Sequence, residues 1–259
     1  MSFDVEQHVH YRIANAPVRA YPFPHFYVEG VFPAEFYATL RQRLPGQDGY
    51  TRIDETGTVS KGAYPERFVC SLADLEEQEA RARSDTSFWA DFSSWLLGDA
   101  FAELILARFR SFFADRFGQN VEPRIEFEAR LVRDLTNYAI SPHTDSPRKL
   151  VSLLFYLPQD DSMRHLGTSL YAPKDPAFRS EGTGHHPFEI FKKITTMEYR
   201  PNTLFAFFKT DRAFHGVDRI SDTNVVRDLL LYNIYVRKLV GQRPALDATR
   251  GLRWPWQRA

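Results

Sequence analysis

Between residues 86 and 117 the large apolar side chains recur every three or four positions, from Phe88, Trp89 and Phe92 through Trp95, Leu96, Phe101, Leu104, Ile105 and Phe109 to Phe112, Phe113 and Phe117. That is the spacing of one buried helical face. Gly98 divides the stretch into two predicted helices that back a sheet. Residues 34–44 carry apolar side chains at 36, 37, 40 and 44, between Pro33 and Pro45, and predict a further helix with proline near its first turn and just past its end. Residues 72–83 read as a charged helix with too few apolar positions to be deeply buried. Residues 22–28 are extended, because prolines forbid helix there. Residues 1–20 show little pattern and predict a loose arm or short edge segment, and residues 46–66, rich in Gly, Thr, Asp and Pro, a surface loop.

From residue 124 the period changes to two. Ile125 to Arg133 alternates as a strand does. Residues 150–157 (LVSLLFYL), between Pro147 and Pro158, predict a buried strand. Shorter strands follow at 169–171, 188–191, 194–199, 203–208 and 229–236. Many short strands parted by Gly and Pro argue for a β-sandwich or jelly roll. The expected fold is mainly β with flanking α: one domain over 1–259, with helical support at about 30–120 and a β core at about 122–238. A tail over 241–259 is expected to be pinned by Trp254 and Trp256.

Composition narrows the function. Lys+Arg and Asp+Glu both number 33, and without a basic balance or stripe nucleic acid is not an expected partner. The single cysteine, Cys70, excludes an intramolecular disulfide and a thiolate cluster and reads as a small buried hydrophobe. The first residues lack the charged and apolar regions of a signal peptide. No apolar run is long enough to span a membrane, so a cytoplasmic location is expected. The oligomeric state is left open.

The chemistry concentrates around His143-Thr144-Asp145 and His215. Residues i and i+2 of an extended segment face the same way, so His143 and Asp145 can present an imidazole and a carboxylate to one ion. Pro142 and Pro147 set this pair at a strand–loop junction. A ligand on an early strand and one on a late strand of a jelly roll meet across the barrel. Two imidazoles and a carboxylate on one face suit Fe(II) and leave positions open. Arg227 precedes the apolar strand 229–236, and its planar fork suits a carboxylate. The blander reading pairs it with Asp222 or Asp228 at the surface, and Arg219 is a rival clamp. Asn137 and Tyr138 lie just upstream of the HxD pair, and alternation lets at most one of them point inward. Arg130 and Arg133 are further anion-binding candidates. His185-His186 read as a surface loop, and residues 178–187 as a lid. Lys209, Asp211 and Arg212 read as a solvated loop.

These residues resemble the Fe(II)/2-oxoglutarate-dependent dioxygenases, especially the prolyl-hydroxylase-like branch. HTDSPRKLVSLLFYLP, GTSLY, RPNTLFAFF, FHGVDRI and VVRDLLLYNIYV occur in the family's order, and PFPHFYVEGVFPAEFYATLRQRLP looks like the lead-in of many bacterial members. The resemblance spans most of residues 22–236. It implies a double-stranded β-helix (jelly roll, cupin-like) buttressed by N-terminal helices. His143, Asp145 and His215 would be iron ligands, and Arg227 would hold the distal carboxylate of 2-oxoglutarate, aided by Asn137 or Tyr138. The implied reaction uses O2, with ascorbate as an optional stimulant, and couples decarboxylation of 2-oxoglutarate to succinate with hydroxylation of a C–H bond. The substrate would be a small metabolite or sugar-containing intermediate, or alternatively a prolyl-type protein side chain. A non-catalytic cupin-like metal or ligand binder is the rival from another class. Three departures from the family pattern stand out: only Gly167 precedes the strand at Ser169, the interval from Tyr171 to Phe188 is long, and Arg227 lies a little further from His215 than in some relatives.

Overall fold

The computed structural model describes residues 2–82, 87–182 and 184–241, the side chains of Ser2 and Phe3 excepted. Trp254 and Trp256 lie outside the described residues, and with them the expectation about the tail.

Six helices come first: α1 (Ser2–Ala14), α2 (Ala34–Gln42), α3 (Leu72–Arg81), α4 (Phe88–Leu96), α5 (Asp99–Phe109) and α6 (Phe113–Phe117). Among and after them run β1 (His25–Glu29), β2 (Thr51–Arg52), β3 (Arg67–Ser71), β4 (Glu122–Leu135), β5 (Ile140–His143), β6 (Lys149–Tyr156), β7 (Thr168–Pro173), β8 (Phe191–Met197), β9 (Thr203–Phe208), β10 (His215–Val217) and β11 (Val226–Val240). A seven-stranded sheet has the order β1-β9-β6-β11-β4-β3-β2, and a four-stranded sheet the order β5-β10-β7-β8. Every pairing is antiparallel. Two antiparallel sheets with flanking helices make up the expected jelly-roll class.

The strand alternation explains the layers. On β11, Leu230, Tyr232 and Ile234 belong to the core shared with the helices, while Leu229 and Leu231 belong to the core between the sheets. On β6, Val151, Leu153 and Phe155 face the helices, and Leu154 and Tyr156 the interior; β9 sends Leu204, Ala206 and Phe208 one way and Phe205 and Phe207 the other. Aromatic pairs lock the helical layer to the major sheet, with Phe101 edge-on to Tyr232 at 5.2 Å and Phe26 stacked on Phe109 at 5.5 Å. Helices take one face of the major sheet, so the inner face is left for the minor sheet and the cavity.

Several local expectations are corrected. Residues 1–20 are no loose arm: α1 buries Val5, Val9 and Ile13, a one-turn spacing thinned by the polar residues between. α3 keeps to expectation, a charged helix in which only Leu72 and Leu75 are buried. The predicted strand at 188–191 is a single 3-10 turn, Phe188–Ile190, leading into β8. The 46–66 loop contains β2 and two 3-10 turns, and β3 immediately after it passed unread.

Candidate metal centre

β5 pairs with β10 so that His143 stands directly opposite His215, with ring centroids 4.4 Å apart. Asp145 follows two residues later, where the chain leaves β5. The ligating atoms of His143, Asp145 and His215 all lie within 4.8 Å of one another. Each imidazole is fixed the same way: Nδ1 of His143 donates to Ser141 O at 3.0 Å, and Nδ1 of His215 to Ala213 O at 2.9 Å. That leaves each Nε2 lone pair free for an ion, with a backbone carbonyl setting tautomer and orientation. Burial lowers the pKa of both imidazoles, and His215 lowers that of His143 further, so both favour the neutral, ligating form. Burial works against the charge of Asp145, yet Lys149, the two imidazoles and the Ser152 hydroxyl outweigh it and hold the carboxyl well below the usual carboxylate range. Ser152 Oγ donates to Asp145 Oδ2 at 2.7 Å and Lys149 Nζ to Oδ1 at 3.0 Å. Two neutral imidazoles and an oriented carboxylate fit a divalent transition metal with open positions.

The same three residues line a cavity of about 440 Å³. Its floor is polar. Arg227 is completely buried; its Nε donates to Leu166 O at 2.7 Å and its Nη1 to Asp134 Oδ2 at 2.6 Å, while Nη2 has no partner among the described residues. The expected surface pairing with Asp222 or Asp228 is replaced by this buried one; Asp228 is taken by Arg133 at 2.7 Å, and Arg130 by Glu128. Tyr138 also lines the cavity, fully buried, with a hydroxyl that has no partner among the described residues. Ile140, Leu154, Phe207, Val217 and Leu231 make up an apolar part of the lining, beside the polar Thr144, Ser152 and Thr168.

Two candidates stand elsewhere. Asn137 is exposed and takes the left-handed conformation (φ 76°), a geometry asparagine tolerates. It turns the chain between β4 and β5 and is absent from the cavity wall. Arg219 is likewise exposed, outside the wall. Two expected loops are more involved than the sequence suggests. His185 forms a β-bridge with His143, its ring 4.8 Å away, and its Nε2 lies 2.6 Å from the Tyr64 hydroxyl. Gly182, Gly184 and His185, from the segment expected as a lid, thus belong to the cavity lining. Gly182 there has φ +94°, and a Cβ on it would sit 2.0 Å from Asp145 O, so only glycine lets the segment approach this closely. Lys209, expected in solvent, is buried: Nζ donates to Thr144 Oγ1 at 3.1 Å and Thr210 O at 2.9 Å, and burial pushes its pKa down to about 8. Arg67 and Asp134 went unread, although strand alternation sets Arg67 on the face of Val69 and Asp134 on that of Val132.

No family model matches the chain, and no curated protein does. Solved structures match in fold. The non-heme alpha ketoglutarate dependent epimerase SnoN from nogalamycin biosynthesis aligns over 93% of this chain and 85% of that one, with TM-score 0.50 and 14% identity. A Pseudomonas putida prolyl-4-hydroxylase aligns over 89% of this chain and 99% of that one, with TM-score 0.48 and 14% identity. HygX from Streptomyces hygroscopicus, solved with nickel and 2-oxoglutarate bound, aligns over 88% and 89%, with TM-score 0.42 and 13% identity. In architecture, the chain has the double-stranded β-helix fold of the Fe(II)/2-oxoglutarate-dependent oxygenases.

Proposed function

We propose that the protein is a non-haem Fe(II)- and 2-oxoglutarate-dependent dioxygenase that hydroxylates a C–H bond of a small metabolite or sugar-containing molecule. One observation carries the reading. A single cavity joins a His-Asp-His ligand set on its wall to two buried donors with no partner among the described residues, Arg227 Nη2 and Tyr138 Oη. Buried polar atoms are rarely left unpaired, so these two mark the seat of a ligand's acceptor group. The donor set fits the cofactor, and the floor fits the far carboxylate of its keto-acid partner.

When bound, Fe(II) with 2-oxoglutarate supplies the oxygen-activating chemistry, with succinate as the product of the keto acid. The chain's own residues bind and orient. His143 and His215 offer Nε2, and Asp145 one carboxylate oxygen, its orientation fixed by Ser152 and Lys149. Arg227 and Tyr138 donate to the distal carboxylate, a charge-assisted contact that sets the keto acid's direction. The apolar part of the lining helps to exclude water. Tyr64 and His185, both in the cavity lining, are hydrogen-bonded to each other, and a cavity of about 440 Å³ is of a size that takes a small molecule. A non-catalytic cupin-like binder has no use for an anion clamp opposite its metal ligands.

The test is succinate formation by purified protein given Fe(II), ascorbate and 2-oxoglutarate in air, without a primary substrate. Slow turnover that disappears in Asp145→Ala supports the reading. Iron bound in full with no succinate above background overturns it.

A further inference from the structure

The inner face of the major sheet carries a row of charge that two donors to one carboxylate do not account for. Arg67 on β3 stands opposite Asp134 on β4, and Asp134 opposite Arg227 on β11. Asp134 is completely buried. It accepts from Arg67 Nε at 2.7 Å and Nη2 at 3.0 Å, and from Arg227 Nη1 at 2.6 Å. A guanidinium keeps its proton in proteins, so two positive charges meet one negative, and the row holds one positive charge in excess. Asp145 is the sole acid in the cavity wall among the described residues, and Lys149 already engages it. Arg227 is fully buried and the Arg67 side chain 18% exposed, and an uncompensated charge so largely removed from solvent is unfavourable without a counterion.

The residues that carry the donors left over line one cavity. Arg67 lines the cavity with Arg227 and Tyr138. It spends Nε and Nη2 on Asp134, and Nη1 makes no hydrogen bond among the described residues. Its guanidinium lies over the Tyr138 ring, 4.3 Å from the centroid. Arg227 Nη2 and Tyr138 Oη complete the set.

We propose that Arg67 is a second clamp on the distal carboxylate of the keto acid, and that Asp134 is the positioning residue that holds both guanidinium groups in register. The proposal rests on the oxygenase reading and deepens it. Asp134 cancels one of the two charges, so the site balances a singly charged group. It therefore takes a 2-keto diacid ending in one carboxylate, and discriminates against a keto monoacid, which leaves the row uncompensated, and against a doubly charged phosphate terminus.

Calorimetric titration of the full-length, Mn(II)-loaded protein with 2-oxoglutarate and with oxalate tests this. Oxalate shares the metal-chelating half and lacks the distal carboxylate. Arg67→Met should weaken 2-oxoglutarate by about ten- to a hundredfold, the range for a hydrogen bond to a charged group, and leave oxalate within about twofold. Arg67→Lys keeps Asp134 paired and guards against a variant that fails to fold. It should lose affinity by about three- to tenfold, because an ammonium cannot bond two partners as a fork does. Unchanged 2-oxoglutarate affinity in both variants, with affinity lost in Arg227→Met, overturns the second clamp alone. Equal losses for 2-oxoglutarate and oxalate overturn it too, since that pattern reports general damage. If Arg227→Met also leaves 2-oxoglutarate binding intact, the oxygenase reading falls with it.

Discussion

Tyr138→Phe separates function from stability because the two effects have opposite signs. The substitution removes one hydroxyl from a completely buried side chain and keeps the ring that packs under the Arg67 guanidinium. That hydroxyl has no hydrogen-bond partner among the described residues. A buried unsatisfied polar group costs about 1–3 kcal/mol, less where the cavity admits water. Phenylalanine should therefore leave the ligand-free protein as stable as wild type, or more stable by up to about 2 kcal/mol. For a chain of this size that is a rise in Tm of up to about 8 °C. With 2-oxoglutarate bound, the hydroxyl donates to a carboxylate, a contact worth about 1.5–3 kcal/mol, so the variant should bind the keto acid about ten- to a hundredfold more weakly. Thermal melts of the Mn(II)-loaded protein over a 2-oxoglutarate titration read both effects at once, since ligand stabilises by mass action. A variant that melts lower without ligand and gains as much from 2-oxoglutarate as wild type would refute the assignment of Tyr138.

Four further outcomes are expected. His143→Ala, Asp145→Ala or His215→Ala should each abolish tight Mn(II) binding by electron paramagnetic resonance while the far-UV circular dichroism stays native; wild-type affinity in any of them removes that residue from the ligand set. Burial lowers the pKa of His143 and His215, so below about pH 6.5 the unfolded chain takes up protons that the folded protein resists. Metal-free stability should thus fall as pH drops from about 7 to 5, and His143→Gln should flatten part of that slope in urea titrations; a slope unchanged by the substitution would contradict the cause given. Gly182→Ala, at a position that ligates nothing, should still weaken Mn(II) binding several-fold, because its Cβ would press on the Asp145 carbonyl; unaltered metal affinity would show that the segment yields freely. Lys209→Met removes the ammonium that ties Thr144 and the Ser180 carbonyl together, and should speed proteolysis within residues 178–187, whereas an unchanged cleavage rate would mean that the tether is unimportant.

The parts of this architecture visible in the sequence are those encoded locally. The Phe/Trp stripe of α4 and α5, the break at Gly98 and the apolar runs of β6 and β9 all have periods that fit inside one window. His143 and Asp145 could be paired because the two-residue spacing of a strand sets them on one side. Elsewhere the decisive fact is long-range. Arg67 and Asp134 meet through the register of β3 on β4, which no local pattern contains. His185 reaches His143 through an isolated bridge formed by a segment that looks like any polar loop. Alternation says only that at most one of Asn137 and Tyr138 points inward, not which; Tyr138 lines the cavity and Asn137 is exposed, the left-handed residue at 137 turning the chain between β4 and β5. Burial also overrode composition: Lys209 looks solvated in sequence, but it follows directly on the buried strand β9 and is satisfied by Thr144 and Thr210.

The most direct measurement of the central claim is a crystal structure of the protein with Mn(II) and N-oxalylglycine, an inert mimic of the keto acid. The expected result is a metal anomalous peak held by Nε2 of His143, Nε2 of His215 and the Asp145 carboxylate, with the ligand's far carboxylate against Arg227 and Tyr138. Metal bound elsewhere, or a carboxylate that leaves Arg227 Nη2 and the Tyr138 hydroxyl unpaired, would contradict it.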